Sequence, residues 1–238
     1  MNTLLAAVIL AAAAAQGPAD AVLRADVQKR INAVKLGSAK ITVMVDGHTV
    51  MLDGTLPTLW LKRQVIEAAV KTPGAEKVQS TIAIAKAESD DQLAYYVADA
   101  IGSYPKYYVY DYIDGAVKNG AATLVGAVTT DQKLAEILER IEKIRGLQNV
   151  DNRIKVLPVS QSDDQLRVTI ANRIYNDPAF MQYSLATPAV HVIVENGRVT
   201  LIGQVSGEIE HQKAVSIAGS VPGVFSVSDQ IAVRARRR

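Results

Sequence analysis

The chain has 238 residues, 49% of them hydrophobic and 21% charged, with 15 Gly and 8 Pro; this balance excludes a disordered, collagenous or polytopic membrane chain. Lys and Arg number 26 against 24 Asp and Glu, so the net charge of +2 carries no global signature of nucleic-acid binding. With no cysteine, disulfides, thiolate metal sites and cysteine nucleophiles are excluded, and His48, His191 and His211 are all that remain for imidazole chemistry.

Residues 4–15 read LLAAVILAAAAA. A run of twelve apolar residues is shorter than the ~20 of a transmembrane helix and suits the core of a signal peptide. The expected export signal is 1–15, cut before Gln16, or at 21 if Ala19 and Ala21 form the cleavage site. No Cys follows, which excludes a lipidated terminus there.

Beyond this signal the sequence repeats. VMLDG (50–54), ATLVG (122–126) and VTLIG (199–203) each end a strand-like run on a glycine, and a second glycine follows 20 positions later at Gly74, Gly146 and Gly223. Val78, Val150 and Val227, then Ile82, Ile154 and Ile231, keep the same spacing. Copies about 75 residues apart are too long for solenoid repeats and long enough to be small domains. The expected boundaries are 20–87, 88–159 and 160–234, with a basic tail at 235–238.

Each copy opens on an amphipathic helix with apolar residues four apart: Leu23, Val27, Ile31; Leu93, Val97, Ile101; Leu166, Ile170, Ile174. The string SDDQL, at Ser89 and again at Ser162, reads as a helix start with the Ser as cap and Gln three residues on. Alternating apolar strands follow, joined at Gly47, Gly120 and Gly197 in a hairpin. A second helix ends near Gly74, Gly146 or Gly223, and a last strand closes the unit. The predicted fold is α+β: three tandem αββαβ domains, each a three-stranded mixed sheet with two helices on one face. All nine glycines, Gly54, Gly126 and Gly203 included, are expected in turns.

With this order, residues 196–205 (NGRVTLIGQV) and 221–233 (VPGVFSVSDQIAV), and their counterparts 119–128 and 145–156, resemble the BON domain, a module named for bacterial osmotically inducible and nodulation proteins. The first copy departs by one extra residue between Gly47 and Gly54 and by Ala75-Glu76-Lys77 after Gly74. The resemblance implies a periplasmic envelope protein without catalytic activity. It further implies contact with phospholipid surfaces in support of envelope integrity under osmotic stress, or alternatively a role as a protein-interaction scaffold.

Charge is uneven, with ten Lys or Arg and five Asp or Glu in residues 22–87 but eight and eleven in residues 88–159. The first copy is therefore the part expected to be drawn to anionic lipid. Trp60 falls opposite the core stripe of Val65, Ile66 and Ala69, beside Lys62 and Arg63. These three are lipid-contact candidates, with packing of Trp60 in the core or against a neighbouring domain as the alternative. Seven of nine tyrosines lie between Tyr95 and Tyr112. A strand through this stretch would line Tyr108, Tyr110 and Tyr112 on the sheet's outer face, as an interaction surface between copies or for a ligand, unless a bulge buries the row.

No cofactor or metal site is expected. The histidines do not share a ligand spacing, the SDDQL aspartates read as caps, and no phosphate-loop glycine pattern occurs. No paired carboxylates or nucleophile with a base suggest an enzyme. Anionic phospholipid or an envelope protein is the expected partner, nucleic acid is not, and the protein is expected to lie peripheral to the membrane.

Overall fold

The computed structural model describes residues 17–86, 88–185 and 187–234. The expected export signal and the tail at 235–238 lie outside the described residues. Among the described residues are six helices: α1 (Pro18–Ala33), α2 (Leu59–Val70), α3 (Asp90–Gly102), α4 (Asp131–Glu142), α5 (Gln161–Tyr175) and α6 (Glu208–Gly219). The strands are β1 (Ile41–Asp46), β2 (Thr49–Leu56), β3 (Lys77–Ser80), β4 (Ala83–Ile84), β5 (Tyr112–Lys118), β6 (Ala121–Val128), β7 (Asn149–Val156), β8 (Val190–Glu195), β9 (Arg198–Val205) and β10 (Ser226–Val233). They form three mixed sheets, ordered β1-β2-β3 with β4 also on β2, β5-β6-β7, and β10-β9-β8. The fold is the predicted one, α+β with three tandem αββαβ units.

The apolar spacing explains the packing. In the first repeat Leu23, Val27 and Ile31 of α1 share a core with Val65 and Ala69 of α2 and with Val43, Val45, Val50 and Leu52 of the sheet. In the third, Leu166, Ile170 and Ile174 of α5 meet Ala214 and Ala218 of α6 over Val190, Val192, Val194, Val199 and Leu201. Alternate strand residues are the buried ones, so both helices lie on one face of each sheet. Each fully buried Val, Leu or Ile contributes roughly 1.5–3 kcal/mol of transfer free energy.

The closing strand of the first repeat is split. β3 pairs Thr49 with Lys77 through Leu52 with Ser80, and β4 resumes in the same register with Thr55 opposite Ala83. At the break the Ile82 amide donates to Ser80 Oγ (3.3 Å), and the Thr81 hydroxyl donates to Asp53 Oδ1 (2.8 Å). The same back-bond recurs as Ile154 to Asn152 (3.1 Å) and Ile231 to Asp229 (3.0 Å).

Two expectations about turns are corrected. Gly54, Gly126 and Gly203 lie inside β2, β6 and β9, not in turns. Glycine is needed there because the partner strand comes so close: a Cβ at Gly203 (φ +150°) would stand 2.1 Å from the Ala189 carbonyl oxygen. The first hairpin has no extra residue either. Asp46 pairs with Thr49 around Gly47-His48, just as Glu195 pairs with Arg198 around Asn196-Gly197. His48 thus occupies the position of Gly120 and Gly197, and the glycine has moved back one place. The second and third hairpins use Asn-Gly with both residues at positive φ (Asn196 51°, Gly197 71°), the geometry that matches strand twist. Gly74, Gly146 and Gly223, at φ 83–94°, end the turn after the second helix.

Candidate functional site

The three lipid-contact candidates sit in the first turns of α2, whose amide at Leu61 is capped by Thr58 Oγ1 (3.2 Å). Their functional ends are engaged within the chain. Lys62 Nζ donates to the Ile82 carbonyl (2.6 Å), while Arg63 Nε donates to Glu142 Oε2 (2.8 Å) and its Nη1 to Glu67 Oε1 (3.3 Å). Trp60 is half-buried, with Lys143 Nζ 5.1 Å from its ring centre, and the Gly146 amide donates to the Pro57 carbonyl (3.0 Å). These contacts tie the first repeat to the C-terminal end of α4. The exposed cations of the first repeat lie elsewhere, with Lys71, Lys77 and Lys86 after α2 and five more ahead of β1. On α1, Arg24 and Arg30 flank the buried stripe and Lys29 opposes it; Lys35 and Lys40 follow in the connection to β1, and all five are exposed. Val22, exposed on α1, shares the outer face with Lys29 two turns on.

The tyrosine stretch is not the row expected. β5 begins at Tyr112, so Tyr108 and Tyr110 lie in turns before it. Asp111 causes the folding of this segment. Its fully buried carboxylate accepts from the Tyr108 amide (3.0 Å), the Thr129 amide (2.9 Å), Thr129 Oγ1 (3.0 Å) and Lys133 Nζ (2.7 Å). The Tyr107 hydroxyl accepts the Ile113 amide (2.9 Å). An extended strand would leave that carboxylate buried without donors, which outweighs the β-propensity of the tyrosines. Tyr108 is half-exposed beneath Lys133 (4.9 Å to the ring centre), and Tyr110 packs against the core of the third repeat. Tyr112 meets the His191 ring at 5.3 Å.

The SDDQL strings do more than cap. Asp90 accepts the amides of Asn119 (2.7 Å) and Gly120 (2.8 Å), and Asp163 accepts those of Asn196 (2.8 Å) and Gly197 (2.9 Å). In each case a helix is fastened to the hairpin turn beside it. Burial alone would raise the Asp163 pKa, but the bonds from Gly197 and Asn196 and the charge of Arg167 hold it below the usual carboxylate range. The cap itself differs between copies: Ser89 in the second, but Ser160 rather than Ser162 in the third, accepting the Asp163 amide at 3.2 Å.

The three histidines are far apart in role. His48 Nδ1 contacts the Gly74 carbonyl (3.1 Å), His211 Nε2 pairs with Asp229 (2.6 Å), and His191 is buried on β8. Among the described residues no group of three or more His, Asp or Glu could hold a metal ion. No helix among them is long and apolar enough to cross a membrane. Sequence reasoning missed the Asp111–Lys133 pair and buried Arg167, whose Nη2 donates to the Val194 carbonyl (2.5 Å). An aspartate in the middle of an aromatic run was the available signal for the first; nothing in the pattern marked the second.

The BON domain family model matches residues 19–86, 89–158 and 162–235. No curated protein matches the chain. Similar solved structures include the C-terminal domain of CdsD, the structural protein of the type III secretion system of Chlamydia trachomatis. It is 14% identical, covers 90% of this chain and 98% of that chain, and has a TM-score of 0.27. A periplasmic fragment of the type III secretion inner-membrane protein PrgH from S. typhimurium is 12% identical over 82% of this chain and 94% of that one, with a TM-score of 0.21. Scores this low carry no argument about fold or function. The family match covers most of the chain, and each matched segment contains one αββαβ unit with the same back-bonded closing strand: the chain belongs to the BON domain family.

Proposed function

We propose that the chain is a non-enzymatic, exported protein of the bacterial envelope that rests on anionic phospholipid surfaces through the basic first helix of its first repeat and so supports envelope integrity. The observation that carries this is the set Arg24, Lys29, Arg30, Lys35 and Lys40, five exposed cations within 17 positions, opposed there by Asp26 alone. Each basic side chain near an anionic surface contributes about 1 kcal/mol, so a net excess of four cations suffices for weak, salt-sensitive association. Val22 adds an apolar contact on the outer face of the helix. Lys62 is engaged within the first repeat, and Arg63 and Trp60 are engaged by Glu142 and Lys143, so these three are not the lipid contact in this reading. The apolar run at residues 4–15 supports export, and family membership supports a contact role without chemistry.

Vesicle flotation tests this reading. The wild-type protein should float with phosphatidylglycerol-containing vesicles at low salt and stay down with phosphatidylcholine alone. Lys29→Glu with Arg30→Glu should lower the bound fraction about tenfold or more, and Trp60→Ala should leave it unchanged. Equal flotation of the wild type and the double variant rejects the assignment, and absence of flotation by any form favours the protein-scaffold alternative.

A further inference from the structure

The segment between α3 and β5 reaches the third repeat. The Val192 amide, on the free edge of β8, donates to the Val109 carbonyl (2.8 Å), and Val109 and Tyr110 enter the third repeat's core. His191 is the neighbour of Val192 and points to the opposite face of the sheet, where it is only 9% exposed. The rings of Tyr107 (5.7 Å) and Tyr112 (5.3 Å) bracket it, and its Nδ1 is buried with no hydrogen-bond partner.

The charged and titratable groups facing the imidazole are few. Tyr107, Tyr112 and Asp111 come from the docked segment, with Asp114 beside the two tyrosines. Lys133 lies behind Asp111, and the cross-strand neighbour Ile202 is uncharged. Asp111 is the one carboxylate near enough to balance an imidazolium, and it already accepts four donors, among them the Lys133 ammonium. A proton on His191 would therefore place a charge in a closed aromatic bracket where the Asp111 and Tyr108 backbones offer hydrogen bonds but no uncommitted carboxylate balances it.

We propose that His191 makes the docking of segment 104–112 onto the third repeat a pH-released latch: the neutral ring fits the tyrosine bracket, and protonation drives it out and frees the edge of β8. Burial pushes the His191 pKa below its ordinary value, against hydrogen bonding at the Asp111 backbone and the charge of Asp111. The docked state thus binds fewer protons than the released one. Docking is complete above the ordinary histidine pKa and weakens as pH falls below it. The freed edge of β8 is then open to another strand.

Amide exchange of Val192, referred to Leu201 in the same sheet and corrected for the intrinsic pH dependence, tests the latch in the full chain. From about pH 7.5 to about pH 5, relative protection of Val192 should fall about threefold or more in the wild type and stay constant in His191→Phe, which keeps a ring without a proton to gain. Constant protection in the wild type, or an equal fall in His191→Phe, overturns the proposal, the latter by moving the effect to Asp111. Should His191→Phe fail to fold, His191→Gln serves the same comparison. The His191 ring carbon signals decide independently: a titration below about 6.5 is expected, and one at or above that value rejects the latch.

Discussion

Replacing Gly203 with Ala should destabilise the third repeat, as the same change at Gly126, whose Cβ would stand 2.0 Å from the Tyr112 carbonyl oxygen, should destabilise the second. The new Cβ would lie 2.1 Å from the Ala189 carbonyl oxygen, 3.0 Å from its carbon and 3.1 Å from Val190 Cα, all backbone atoms of the paired strand. Restoring ordinary contact moves that strand by about 1 Å and breaks the Gln204 amide to Ala189 carbonyl bond (2.9 Å). The φ of +150° adds strain of roughly 1–3 kcal/mol for a non-glycine residue, and the lost bond about 1 kcal/mol, so the expected loss is about 3 kcal/mol. Gly54 is the internal control, because its nearest backbone atom, the Lys40 carbonyl oxygen, stands at 2.8 Å. Native-state amide exchange read at Leu201 for the third repeat and at Leu52 for the first separates the two effects. A loss below about 0.5 kcal/mol in Gly203→Ala would refute the close-approach argument.

Asp163→Asn removes the ionised clamp on the third hairpin and should cost about 1–2 kcal/mol at neutral pH by urea denaturation. Because the Asp163 pKa is lowered in the folded chain, its contribution is present above the ordinary carboxylate value and lost as pH falls through the lowered one; wild type and variant should converge in acid. Lys133→Met leaves Asp111 buried without its cation and should destabilise by about 3 kcal/mol, whereas exposed Lys143→Met should cost below about 1 kcal/mol. The hydrogen bond to Asp229 raises the His211 pKa, with Glu208 adding to it, so NMR should find this ring titrating above about 6.5 and falling back in Asp229→Asn. That pair stabilises below the ordinary histidine value, and its contribution disappears as pH rises through the raised one.

The architecture was legible because period and spacing report it directly: Leu23, Val27 and Ile31 fall on one helical face whatever surrounds them, and the glycine register repeats three times. Roles that depend on a distant partner were not legible. Gly203 looks like a turn glycine until the strand carrying Ala189 is laid beside it, and the Asp163 of SDDQL looks like a cap until the hairpin turn arrives above it. Trp60 and Arg63 read as an amphipathic surface because Glu142 and Lys143, which cover them, lie about 80 positions away. The tyrosine row failed for a local reason, since period-two reasoning ignored the four donors that Asp111 demands.

An amide hydrogen-exchange footprint of the full chain on phosphatidylglycerol vesicles tests the central claim most directly, because it asks where the protein touches rather than whether it binds. The account predicts slowed exchange along α1 and the connection to β1, through Arg24, Lys29, Arg30, Lys35 and Lys40, with α2 unchanged at Trp60 and Arg63. Slowing centred on α2, or on the third repeat with α1 unaffected, would contradict it.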